Sequence, residues 1–281
     1  MKLNNIILVP TDFSDVCHNA IDYAVKMAGK INFKVIIYHV INKTTQAYFK
    51  VEEGLNEKVA EKLQSIIDGF KMQSEIEMSY AYEEGSIFDL IHKKADEVGA
   101  NFIVLGTHGK VGFQKIFGSH ALKVITQSKA ATIVVQKKKF RDLNNVLFPV
   151  NSFTEARQKV QYAIAMHQRF NSHIHIYKEQ VDNSIDQSRI DVITKQIVEE
   201  FKKEKIPYTV HISQIDGETA RELVDFSVAN EIDAIMIVTE TKLGSGIFSL
   251  GPWNEKIMFN EAQIPAICIN PVQHGFVYFD L

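Results

Sequence analysis

The chain has only two cysteines, Cys17 and Cys268, too far apart in sequence for a metal-binding spacing or a disulfide framework. That scarcity fits a reducing compartment. Charge of one sign is not in excess either. A net charge of -3 over 281 residues argues against a protein that coats nucleic acid. No apolar run approaches the roughly 18 residues that a membrane-spanning helix needs. The first such run, Ile6 to Val9, is too short for a signal-peptide core, and no small-residue cleavage site comes after it. These absences predict a soluble, cytoplasmic protein with no membrane and no nucleic-acid partner. Three chemical signatures are missing as well. Without G-x4-G-K-[ST] there is no P-loop. Without G-x-G-x-x-G after the first strand, an ordinary dinucleotide fold is disfavoured. Without G-x-S-x-G there is no hydrolase nucleophile elbow.

What is present is ordinary globular material, 46% hydrophobic and 23% charged, enough for one large domain or two ordinary ones. The chain also repeats itself. NNIILVPTDFSD near the start resembles NNVLFPVNSFTE at 144–155, at an offset of 139 that aligns Pro10 with Pro149 and Asp12 with Asn151. Further on, EEGSIFDLIHKKADEVGANFIVLGTHGKVG (83–112) aligns with IDGETARELVDFSVANEIDAIMIVTETKLG (215–244) at an offset of 132. Two copies at this period indicate duplicated domains rather than a solenoid, whose repeats are ~20–50 residues. The expected domains are 1–139 and 142–281.

Within the first copy, short β-branched runs alternate with amphipathic stretches. Strands are expected at Ile6–Val9, Lys34–Val40, Ile76–Tyr82, Phe102–Leu105 and Thr132–Gln136, and helices at Asp15–Lys30, Asn56–Phe70, Ser86–Val98 and Ser119–Gln127. This alternation predicts the α/β class: two tandem, doubly wound, parallel five-stranded sheets flanked by helices. The strands read as unbroken apolar runs because helices cover both faces.

Ligands of such sheets lie beyond the carboxyl ends of the strands. Asp12 comes after the first strand there, Val40 closes the second, and Gly106-Thr107-His108-Gly109 comes after the fourth. Glycines between a strand and a helix let backbone approach a phosphate, and a helix start offers free N–H groups. Gly118-Ser119 opens the last helix of the copy. Taken singly, each residue has a plainer use: a turn for the glycines, a helix cap for Ser119 or Asp12, an exposed loop position for His108. His173 and His175 share one strand face, but two imidazoles without further ligands do not make a zinc site.

Together these residues resemble the universal stress protein family, over nearly the whole chain and once per copy. The resemblance rests on Val9-Pro10-Thr11-Asp12, His39-Val40, a Gly-led helix from Gly85, and FIVLGTHG at Phe102–Gly109. Members that bind ATP carry G-x2-G-x9-G-[S/T], so the resemblance implies a Rossmann-like adenine-nucleotide site. It assigns phosphates and ribose to Gly106, Gly109, Gly118 and Ser119, and adenine to Asp12 and Val40 with Pro10 beside the base. ATP, with or without Mg, is the implied ligand. The chain departs from this pattern in one place: eight residues separate Gly109 from Gly118, against nine between Thr241 and Gly251 in the second copy. One lost helical residue rotates the downstream chain by ~100° and shifts it by ~1.5 Å. The second copy keeps the spacing and loses the chemistry. Val238, Thr241 and Pro252 replace Gly106, Gly109 and Ser119, and Asn151 replaces Asp12.

The expectation is therefore a regulatory protein, not an enzyme, with nucleotide in the first copy and a second copy that only packs. Hydrolysis would be slow, for want of a general base or metal-clamping carboxylates. The family's pairing of final strands implies an intrachain pseudo-dimer through Thr132–Gln136 and Ala266–Asn270; further homo-oligomerisation is left open. The competing reading is a module that binds no nucleotide and acts through dimerisation or partner contact. An enzyme on a small ligand is a third reading, without a visible nucleophile.

Overall fold

The run near the N-terminus forms strand β1 (Ile6–Thr11), buried beyond its first residue. In the computed structural model, residues 4–51, 53–72, 74–108, 125–214, 219–241, 248–249 and 251–271 are described. The chain divides into two compact units, Met1–Phe140 and Arg141–Leu281.

In the first unit β1 leads to α1 (Asp15–Ile31), whose Ala20, Ala24, Met27 and Ala28 form the buried stripe that the 3.6-residue period predicts. Asn32 ends the helix in the left-handed conformation, φ 55°. Next come β2 (Lys34–Ile41), α2 (Lys43–Phe49), α3 (Leu55–Lys71), β3 (Met78–Glu84), α4 (Ile87–Val98), β4 (Phe102–Gly106) and β5 (Ala131–Val135). The strand order is β3-β2-β1-β4-β5, and every pairing is parallel. The second unit repeats the plan with β6 (Asn145–Val150), a 3-10 segment (Thr154–Lys159), α5 (Val160–Phe170), β7 (His173–Lys178), α6 (Ser184–Lys203), β8 (Tyr208–Ile212), α7 (Thr219–Ala229), β9 (Ala234–Val238), a short antiparallel pair β10 (Glu240–Thr241) and β11 (Phe248–Ser249), α8 (Gly251–Met258) and β12 (Ala266–Ile269). Its parallel strands run β12-β9-β6-β7-β8.

Both units are thus doubly wound α/β sheets. The differences from the sequence reading are local. Strand β3 begins at Met78 rather than Ile76. Residues 48 and 49 belong to helix α2, for which no helix is expected from the sequence. The expected helix Ser119–Gln127 is described only over residues 125–127. Among the described residues no helix is long and apolar enough to cross a membrane.

The feature that positions a site is the split between the two central strands. β1 pairs with β2 over six positions, from Ile6 with Lys34 to Thr11 with His39. With β4 it pairs at only two, Ile7 with Phe102 and Leu8 with Ile103. Beyond Leu8 the ladder stops, at the point where the winding reverses and a ligand crevice belongs. The second unit does the same: β6 meets β9 only at Val146 with Ala234 and Leu147 with Ile235.

Candidate functional site

At the carboxyl ends of β2, β1 and β4 the structure brings four of the expected residues together. Pro10 is buried on β1, Asp12 sits half-buried just past that strand, Val40 is buried near the end of β2, and Gly106 is the buried last residue of β4. Gly109, Gly118 and Ser119 lie outside the described residues.

Asp12 is held in an Asx turn, its Oδ1 accepting from Ser14 N at 2.9 Å. Burial alone would raise its carboxyl. The Ser14 hydroxyl and amide and the Cys17 thiol outweigh that and leave it below the usual carboxylate range. The same burial, with the Asp12 charge beside it, pushes the Cys17 thiol up to about 12, so Cys17 is inert packing.

Sequence reasoning missed the residues that brace this corner. His39 is only 3% exposed. Its Nδ1 faces Thr11 O at 2.7 Å and its Nε2 faces Thr45 Oγ1 at 3.0 Å. A carbonyl only accepts, so Nδ1 carries the proton and Nε2 accepts from Thr45. Burial, against the pull of Thr11 and Asp12, holds the imidazole below its ordinary pKa. Phe13, at φ 69°, stacks on that ring with centroids 4.3 Å apart, and Tyr48 and Phe49 of α2 close around Phe13. Helix α2 is itself set by a capping box. Asn42 Oδ1 accepts from Thr44 N and Thr45 N, and Thr45 Oγ1 accepts from Asn42 N. The signal was Asn42-x-x-Thr45, which a seven-residue helix cannot reinforce with periodicity. Thr45→Val is expected to cost about 1–2 kcal/mol, since it removes one cap and orphans His39 Nε2. Urea unfolding checks it, and an unchanged midpoint would refute the brace.

Gly106 has a further role. A Cβ built there would stand 2.5 Å from Val16 O and 3.0 Å from Cys17 N. The first turn of α1 is seated directly on the end of β4, and only glycine admits it. The second unit has Val238 at this position, and the aligned helix start is different. Residues 154–170 match 15–31 in length, but their first six form a 3-10 segment, Thr154–Lys159, before α5 begins. A valine side chain cannot share that space with a close α-helical turn, and the backbone there takes the other path.

Lys159, aligned with Ala20, then turns into the split of the second unit. It is 3% exposed, and its Nζ donates to Pro149 O and, at 3.3 Å, to Met236 O, with the Phe148 ring centroid 4.3 Å away. Those carbonyls belong to β6 and β9 where their ladder has stopped. Asn254 Nδ2 donates to Val238 O at 2.7 Å, and Thr239 Oγ1 to Asn270 Oδ1 at 2.6 Å. At this end of the second sheet the acceptors Pro149 O, Met236 O and Val238 O thus take donors from the unit's own side chains, while Asn254 Oδ1 is buried without a partner. Among the described residues no group of three or more His, Cys, Asp or Glu is arranged to hold a metal ion.

Residues 4–136 match the model of the universal stress protein family. A universal stress protein of Methanocaldococcus jannaschii is 29% identical over 140 residues, covering 47% of this chain and 82% of that relative. The crystal structure of a universal stress protein from Archaeoglobus fulgidus is 19% identical, covers 95% of this chain and 98% of that one, and has a TM-score of 0.73, a likeness of fold. A universal stress protein solved in complex with cAMP is 24% identical over 49% of this chain, with a TM-score of 0.38.

Proposed function

We propose that this chain, which belongs to the universal stress protein family through residues 4–136, is a regulatory protein that holds ATP or a related adenine nucleotide in its first unit. The second unit, on this reading, binds none and serves as a packing partner, through pairing of Thr132–Gln136 with Ala266–Asn270. The observation that carries the reading is the contrast between two equivalent splits. In the first unit the β1/β4 split opens beside Asp12 and Gly106, with Val40 on the adjoining strand β2, and α1 carries Ala20 where the second unit has Lys159. In the second, the buried ammonium of Lys159 fills that place.

In the first unit Asp12, kept ionised, would accept from ribose hydroxyls or an adenine amino group, and Val40 and Pro10 would flank the base. Gly106, Gly109, Gly118 and Ser119 would offer backbone and hydroxyl donors to phosphate. None of these residues is a general base for water attack, so turnover of ATP would be slow.

The experiment is to purify the protein without added nucleotide, denature it, and chromatograph the supernatant. A thermal-shift panel of Mg-ATP, AMP and cAMP runs alongside. One equivalent of adenine nucleotide per chain, or one saturable site, is expected. Asp12→Ala should weaken it by about tenfold or more, the worth of a hydrogen bond to a charged group. Asn151→Ala should leave it unchanged. No nucleotide and no shift with any of the three would overturn the reading, and two equivalents would overturn the role given to the second unit. The packing role of Gly106 favours the competing reading, a module without nucleotide, because it accounts for that glycine with no ligand. The same panel separates the two.

A further inference from the structure

Three histidines of the second unit meet on one face of its sheet. His173 and His175 stand two apart on β7, ring centroids 4.8 Å apart. His211 of β8 stacks on His175 at 5.4 Å, and its Nε2 lies 3.2 Å from His175 Nδ1. Phe226 of α7 closes the group, 4.6 Å from the His211 ring and 6.3 Å from that of His175. Two more ring nitrogens find neutral partners. His175 Nε2 faces Asn145 Oδ1 of β6 at 3.2 Å, and His173 Nε2 faces Thr209 Oγ1 of β8 at 2.9 Å.

The protons can be accounted for. Asn145 Oδ1 only accepts, so His175 carries its proton on Nε2, and its Nδ1 accepts from His211 Nε2–H. This neutral arrangement satisfies both rings. One added proton can enter at His211 Nδ1 and leave the Nε2–H bond to His175 Nδ1 in place. A second sets two N–H groups against each other across 3.2 Å. The nearby carboxylates have other partners, and Glu222 Oε2 is buried without a hydrogen bond. From α7, Glu222 accepts from the Tyr177 hydroxyl at 2.6 Å and from Gln214 N at 2.8 Å, and Asp225 pairs with Arg221. Asp233, ahead of β9, accepts from Asn145 N and pairs with Arg141. On the opposite face of β7, Lys178 pairs with Asp191. Among the described residues, none of the three histidines forms an ion pair with a carboxylate. Burial holds all three below the ordinary imidazole pKa. For His175, repulsion from His173 and His211 adds to it and brings the ring to about 4.

We propose that this cluster is a proton-operated latch, which keeps α7 on the second sheet at neutral pH and lets it go in acid. The sign comes from linkage. The folded rings bind protons more weakly than the unfolded chain, so stability is present in full above about pH 6.5 and drains away as pH falls from there toward the folded values. The element that responds is the one whose Phe226 covers the rings. Local release of a single helix is the ordinary form of such an opening.

Two measurements test the latch. In the wild-type chain, NMR titration of the imidazole C–H signals should place His175 at least about one unit below the ~6.5 of an exposed histidine. Amide exchange in α7, corrected for its intrinsic pH dependence, should rise relative to β7 between pH 7.5 and 5. Second, the melting midpoint of the wild type should fall about 8 °C further over that range than that of His175→Gln/His211→Gln. His175 titrating near 6.5, or α7 and β7 keeping the same relative protection, would overturn the latch even if the double variant failed to fold. So would equal losses of melting temperature in the two proteins.

Discussion

Gly106→Ala should destabilise the first unit by about 3 kcal/mol, a large effect for one methyl group and at the upper end of what overpacking costs. The added Cβ would meet backbone, not a side chain that can swing away: Val16 O at 2.5 Å, Val16 C at 2.8 Å and Cys17 N at 3.0 Å. Relief requires α1 to lift from β4, and α1 carries Ala20, Ala24, Met27 and Ala28, all fully buried. Lifting it opens voids along that stripe, and the core cannot refill them without moving the helix as a whole. Gly106→Val should cost more. Equilibrium unfolding in urea, read by circular dichroism on the full chain, checks both. A change under about 0.5 kcal/mol for the alanine variant would mean that the helix start yields freely. The result also bears on function. A Gly106 variant that loses nucleotide has lost its seat for α1 as well, so it cannot serve as a simple phosphate-loop control. Asp12→Ala is the cleaner probe, because Asp12 is half-buried and contributes a local turn rather than a helix packing.

The second unit shows how such a clash is relieved when the whole segment has changed with it. There Val238 coexists with a 3-10 start, Thr154–Lys159, instead of a seated α-turn. This explains why the fold was legible in the sequence and the second site only partly so. The strand runs, the helix stripe through Ala20, Ala24, Met27 and Ala28, and the internal repeat depend on periodicity and composition, which a single sequence carries. The positions of Asp12, Val40 and Gly106 at three adjacent strand ends came from them. The brace around His39 was hidden, because a buried histidine between a carbonyl and a hydroxyl looks the same in sequence as any strand histidine. His173 and His175 were visible as a pair, but His211, thirty-six residues beyond His175, joins them only through the pairing of β7 with β8. The replacement of Ala20 by Lys159 puts a lysine at a position of the buried stripe, and its partners, Pro149 O and Met236 O, lie on strands that the sequence does not place beside it.

Lys159→Ala is expected to cost the second unit about 3–5 kcal/mol, through the cavity left by a long side chain and through two carbonyls, Pro149 O and Met236 O, that lose their donor. Lys159→Met separates these causes. It keeps most of the volume, so what remains is about 1–3 kcal/mol for the orphaned carbonyls, offset by release from burying a charge. The balance depends on pH. Burial pushes the Lys159 ammonium down to about 7, so the unfolded chain holds a proton there, up to its ordinary 10.5, that the folded unit has given up. Stability conferred by Lys159 therefore rises with pH between about 7 and 10.5, the reverse of a salt-bridged lysine. The chemistry agrees with the direction. A neutral amine has two N–H groups for two carbonyls, whereas the ammonium carries a third with only the Phe148 ring to face. That ring recovers about 1–2 kcal/mol for the charged form, against an upper bound of about 5 kcal/mol from the full displacement of the titration. The gap between wild type and Lys159→Met should thus widen by about 2–3 kcal/mol from pH 7 to pH 10 in urea unfolding. A gap that stays constant, or narrows, would mean that the ammonium keeps its proton in the crevice. The second unit would then hold a permanent internal cation in the split between β6 and β9.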